Sequence, residues 1–129
     1  MVASSLTNEL IQEGRVLIRE LDASATEVNA GLWFHFPDES AWKLMLALPT
    51  LERDGPKAGY AKVQKALSRL PGVSNLLLAD VTILSRDAPL LGLLRTAIKK
   101  TGPSLANIRF SSGAINGVLV QDAYVYRLN

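Results

Sequence analysis

Apolar and polar positions change their repeat several times along this chain, and each change predicts an element. From Ser5 to Asp22, Leu6, Leu10, Gly14, Leu17, Ile18 and Leu21 fall on one side of a helix, with Glu9, Glu13, Arg15, Arg19 and Glu20 outside it. Ser4 or Ser5 supplies a capping hydroxyl at its start. The stretch Gly31 to Leu48, GLWFHFPDESAWKLMLAL, divides into two aromatic-rich strands around the polar turn Pro37-Asp38-Glu39-Ser40. A four-residue loop there sets Phe36 near Ala41, His35 near Trp42 and Trp33 near Leu44. Because strand side chains alternate, Trp33, His35, Trp42 and Leu44 share one face. Leu32, Phe34, Phe36 and Met45, with Lys43 among them, share the other. Two apolar faces predict a hairpin covered on both sides.

Pro56 suits the first turn of a second helix, running to Ser68 or Leu70, with Val63, Leu67 and Leu70 on its apolar side. Asn75 to Leu84 reads as a strand region, its Leu76-Leu77-Leu78 run suggesting an interior strand. Ser85 or Asp87 caps a third helix with Pro89 in its first turn. Leu90, Leu91, Leu93, Leu94, Ala97 and Ile98 form its apolar arc, Arg95, Lys99 and Lys100 its exposed side, and Gly102-Pro103 its stop. A last hairpin joins Ala106–Ile115 to Val118–Leu128 through a type I′ turn at Asn116-Gly117, setting Ser111 near Asp122 and Arg109 near Tyr124. The order α-β-β-α-β-α-β-β predicts one α/β or α+β domain over residues 1–129. Its centre is a mixed or antiparallel five-stranded sheet packed by three helices.

Composition narrows the function classes. A chain of 129 residues, 48% hydrophobic, supports one substantial core. It has no cysteine, which excludes disulfides, thiolate metal ligands and catalytic thiols. The absence of a long apolar run or signal-like start predicts a soluble cytoplasmic protein without membrane contact. A net charge of +2 is too small to assign nucleic-acid binding. The charge is nevertheless uneven. Residues 1–52 carry three basic and eight acidic side chains, residues 53–129 eleven basic and four acidic ones, an asymmetry able to orient a partner.

Three readings of the chemistry follow. The first is a non-enzymatic protein-interaction or structural domain that self-associates as a homodimer through an aromatic sheet surface. Trp33 and Trp42 are its expected anchors, with Phe34 and Phe36 assigned to the core. The second is a small enzyme with an acid/base site centred on His35, the sole histidine, beside Asp38 and Ser40. The third is a nucleic-acid-binding module. Lys62, Lys65 and Arg69 form a short positive ridge on one helix, while Arg109, Tyr124 and Tyr126 form a patch suited to phosphate contact and base stacking. No cofactor or metal is expected. Asp80, Asp87 and Asp122 lack ligand-motif spacing, and no glycine-rich phosphate loop opens a helix.

Overall fold

Helix α1 (Asn8–Ala23) starts where the Thr7 hydroxyl accepts a hydrogen bond from the Leu10 amide at 3.2 Å. The cap is therefore Thr7 instead of Ser5. The computed structural model describes residues 5–36, 38–72, 74–98, 101–102, 104–115 and 118–129, with only the backbone described at 111–115 and 118–121. Ser4, Pro37, Lys99, Lys100, Pro103 and the expected Asn116-Gly117 turn lie outside the described residues. The remaining elements are β1 (Ala30–Phe36), β2 (Ala41–Ala47), a short α2 (Thr50–Asp54), α3 (Pro56–Leu67), β3 (Val81–Leu84), α4 (Pro89–Ala97), β4 (Ile108–Ile115) and β5 (Val118–Leu128).

The five strands form one sheet in the order β3-β2-β1-β5-β4. All neighbours are antiparallel except β2 and β3, which run parallel, so the sheet is mixed. The hairpin registers match those expected from the turn residues: His35 pairs with Trp42, Trp33 with Leu44, Arg109 with Tyr124 and Ser111 with Asp122. Helices α1 and α3 cover one face, burying Leu17, Ile18, Leu21 and Val63 against Trp33, Leu44, Leu46 and Tyr126. On the other face α4 packs Leu91 and Leu94 against Leu32, Met45, Ala123 and Val125. Among the described residues both faces carry a buried apolar set, which explains why the strand sequences of β1 and β2 alternate between two apolar sets rather than between apolar and polar.

The expected strand over Asn75–Leu84 is corrected: only Val81–Leu84 is strand, preceded by a 3-10 turn at Leu78–Asp80. Two carboxylates account for the difference. Glu13 on α1 accepts from the amides of Asn75 and Leu76 at 2.8 and 2.9 Å and from the Ser74 hydroxyl. Asp80 accepts from the Leu77 amide at 2.9 Å. With their donors held by side chains, these residues do not join a ladder. Leu76 enters the core while Leu77 stands 46% exposed.

Burial alone would raise the Glu13 pKa, but the hydrogen bonds from Ser74, Leu76 and Asn75 outweigh it and hold the carboxyl below its ordinary value. A depressed folded-state pKa contributes stability above the unfolded pKa and loses it as the pH falls through the folded one. Glu13→Gln is therefore expected to cost about 1 kcal/mol near neutral pH. The gap from the wild type should close as the medium becomes more acidic than the folded-state pKa. Urea denaturation across that range checks this, and a gap that stays constant into acid would contradict the role given to the carboxylate.

Candidate interaction surface

The organising contact on the α1 side begins with two residues that the sequence places 93 positions apart. Trp33 Nε1 donates to the Tyr126 hydroxyl at 2.9 Å, and that hydroxyl donates to the Ile11 carbonyl of α1 at 2.6 Å. Burial pushes the Tyr126 phenol above its ordinary pKa despite the opposing pull of the Trp33 hydrogen bond, so it stays a neutral donor. Above its ring lies the Arg15 guanidinium, 5.3 Å from the centroid. Arg15 also donates to Asn107 and, at 3.4 Å, to the Tyr124 hydroxyl, which itself donates to Asn107 at 2.5 Å.

The network continues along the sheet. Arg109 on β4 grips Asp122 on β5 through two hydrogen bonds of 2.7 and 2.6 Å, and its guanidinium lies 5.5 Å from the Trp42 ring centroid. The hydrogen bond to Asp122 is the main reason the Arg109 pKa is raised. His35 also contacts Trp42, its ring centroid 5.2 Å away. Candidates drawn from three separate readings, Trp33 and Trp42, His35, and Arg109 with Tyr124 and Tyr126, thus meet on one sheet face. Arg15 and Asn107 complete the cluster. No local sequence signal identifies them, because their contacts exist only once α1 docks on the β4–β5 pair.

The meeting changes what each group can do. Trp33 is fully buried and Trp42 only 6% exposed, so the expectation that these indoles present an outer anchoring surface is corrected. Both belong to the core cluster that α1 and α3 cover. The two arginines are engaged inside the chain, which leaves less of their charge for phosphate contacts than the linear sequence suggests. Asp38 and Ser40 stand exposed in the β1–β2 turn, Ser40 in the left-handed region at φ 48°. The acid that the fold brings to the same cluster as His35 is Asp122, across Trp42 and Arg109. Lys62 and Lys65, on the exposed side of α3, and Arg69, exposed in the turn after it, lie apart from this cluster.

The opposite sheet face has a different character at the β4 end. Phe34 and Phe36 contact each other edge to face at 4.9 Å and are half-buried, as are Ile108 and Phe110 on β4. The two phenylalanines thus pack against the core, as expected, but at its half-buried margin. β4 is also an outermost strand, so one of its backbone edges has no strand beside it among the described residues. A third feature, an open recess of about 580 Å³, is lined by Asp22, Glu27, Asn29, Arg127 and Asn129.

Among the described residues no group of three or more His, Asp or Glu side chains is placed to hold a metal ion, and no helix is long and apolar enough to cross a membrane. No protein-family model, curated protein or solved structure matches the chain.

Proposed function

We propose that this domain is a non-enzymatic protein-interaction module that forms a homodimer by pairing β4 of one copy with β4 of another. The observation that carries the reading is the unguarded outer edge of β4. Edge strands are commonly blunted by lysine, proline, short length or inward charge. Over its eight residues, IRFSSGAI, β4 has no lysine or proline, and its one charged side chain, Arg109, is held by Asp122 of the same chain. Such an edge is a template for another strand.

A second copy fits this edge through symmetry. Two identical strands brought together by a two-fold axis perpendicular to the sheet pair antiparallel with their faces continuous, and every contact occurs twice. The half-buried Ile108 and Phe110 of β4 then adjoin their equivalents across the axis, while Phe34 and Phe36 of β1 lie on the same face beyond β5. That burial supplies the apolar contribution that backbone pairing alone lacks. The aromatic anchor in this arrangement is Phe110, not the tryptophans.

Light scattering at about 100 µM protein is expected to give twice the 14.0 kDa chain mass. Phe110→Asp and, independently, Ile108→Lys should each shift the particle to the chain mass while keeping the far-ultraviolet circular dichroism of the wild type. Amide exchange in β4 should slow as wild-type concentration rises. A wild-type monomer at that concentration overturns the proposal, as does a dimer with concentration-independent exchange in β4.

A further inference from the structure

We infer that the recess between the end of α1 and the exposed side of α3 binds the phosphate group of a small phosphate monoester. Its walls are Lys62 and Lys65 from α3, Arg69 from the turn that follows it, and Ser24 and Thr26 from the turn that ends α1. Lys62 and Lys65 stand three residues apart on α3 and Arg69 follows in the turn after it, and all three line the same recess. None has an ion-pair partner among the described residues. The negative end of α1 is equivalent to about half a charge, which leaves most of their positive charge uncompensated.

The turn supplies the polar groups. Thr26 N donates to the Leu21 carbonyl at 2.9 Å and Ala25 N to the Asp22 carbonyl at 3.1 Å, with Ala25 in the left-handed region at φ 59°. This double hydrogen bond is a Schellman closure, and it turns the Ser24 and Thr26 side chains toward α3. Proton bookkeeping then singles out Thr26. The Ser24 hydroxyl donates to the Leu21 carbonyl at 3.1 Å, so in the 3.4 Å contact between the two hydroxyls the donor is Thr26. That bond is long for an O–H donor, and an oxyanion offers the same proton a stronger partner. Thr26 is 4% exposed, so its orientation is fixed before a ligand arrives.

Size sets the ligand class. The recess measures about 110 Å³, room for one tetrahedral oxyanion and too small for a base with its sugar. A solvated helix face would need the lysines but not the buried, poorly matched hydroxyl. This site is separate from β4 and does not depend on dimer formation.

The test is a nuclear magnetic resonance titration of the full chain with inorganic phosphate and with glycerol 3-phosphate, each against sodium chloride at matched ionic strength. Both phosphates are expected to give saturable shifts at the amides of 24–26 and near Lys62, Lys65 and Arg69. Lys65→Gln/Arg69→Gln should weaken affinity at least about tenfold, as should Thr26→Val. The two exposed positions keep the test valid where Thr26→Val perturbs folding. The inference is overturned if chloride gives the same shifts or the double variant binds as the wild type does. It is equally overturned if only phosphatidic acid vesicles, or only an oligonucleotide, are bound while the soluble phosphates are not.

Discussion

Replacing Gly14 with alanine is expected to lower the free energy of unfolding by about 3 kcal/mol, although alanine is the better helix former by about 1 kcal/mol. At Gly14 the backbone of α1 packs directly on Tyr126 and Trp33. A Cβ built there stands 2.5 Å from the Tyr126 hydroxyl, 3.0 Å from Trp33 Nε1 and 3.1 Å from Tyr126 Cζ. None of these atoms belongs to a free side-chain end. Tyr126 and Trp33 are fully buried, and the hydroxyl is fixed between the indole donor and the Ile11 carbonyl. Moving the ring breaks both bonds and leaves a buried indole N–H and carbonyl without their partner, which adds to the overpacking cost. Tyr126→Phe removes the hydroxyl that the new methyl would strike. The double variant should therefore be less destabilised than the two single losses added together. Chemical denaturation of the four proteins measures this coupling. A Gly14→Ala protein as stable as the wild type, or strictly additive losses, would show that α1 is not held by this contact.

The same position illustrates how unevenly the structure was written in the sequence. Gly14 lies on the apolar side of the predicted helix, yet nothing local distinguishes a glycine tolerated there from one required by a tyrosine over a hundred residues later. The hairpin registers were legible because a turn and a two-residue repeat fix them locally: once Pro37–Ser40 is a four-residue loop, His35 must face Trp42. Leu76-Leu77-Leu78 misled for the converse reason. An apolar triplet satisfies the strand pattern, but the fate of its amides depends on Glu13 arriving from α1. The tryptophans misled in the same way, since an aromatic strand face looks identical whether the helix that covers it belongs to the same chain or to a partner.

Long-range pairing also decides the electrostatics. The acidic first part and basic last part of the sequence suggested opposed fields, but the fold brings some of these charges together. Asp22, in the last turn of α1, receives two hydrogen bonds from Arg127 of β5 at 3.0 and 2.9 Å. Phosphate recognition is proposed where such neutralisation is lacking, on α3, and strand pairing where the one edge charge has been neutralised, on β4. The difference between Arg109 and Lys65 is thus one of partners, which the sequence does not record.

Asp22→Asn is expected to cost about 2 kcal/mol, although it changes few atoms on a side chain that is 39% exposed. The reason lies with the partner. Arg127 is 5% exposed, and besides Asp22 its guanidinium donates to the Val28 carbonyl at 3.3 Å. An amide retains part of the hydrogen bonding but removes the negative charge that compensates a buried cation. Breaking a fully buried pair costs about 3–5 kcal/mol, and the exposure of Asp22 reduces the expected loss. Asp22→Asn/Arg127→Met should recover part of it, because removing the buried charge also removes its desolvation cost. Added salt should weaken the wild type little, since the guanidinium end of the pair is out of reach of counterions. Urea denaturation of the wild type, both single variants and the double variant decides the matter. If Asp22→Asn falls within about 0.5 kcal/mol of the wild type, in the range of ordinary surface substitutions, the carboxylate is not what keeps Arg127 inside, and the link between α1 and β5 rests on the Tyr126 and Arg15 contacts and on apolar packing.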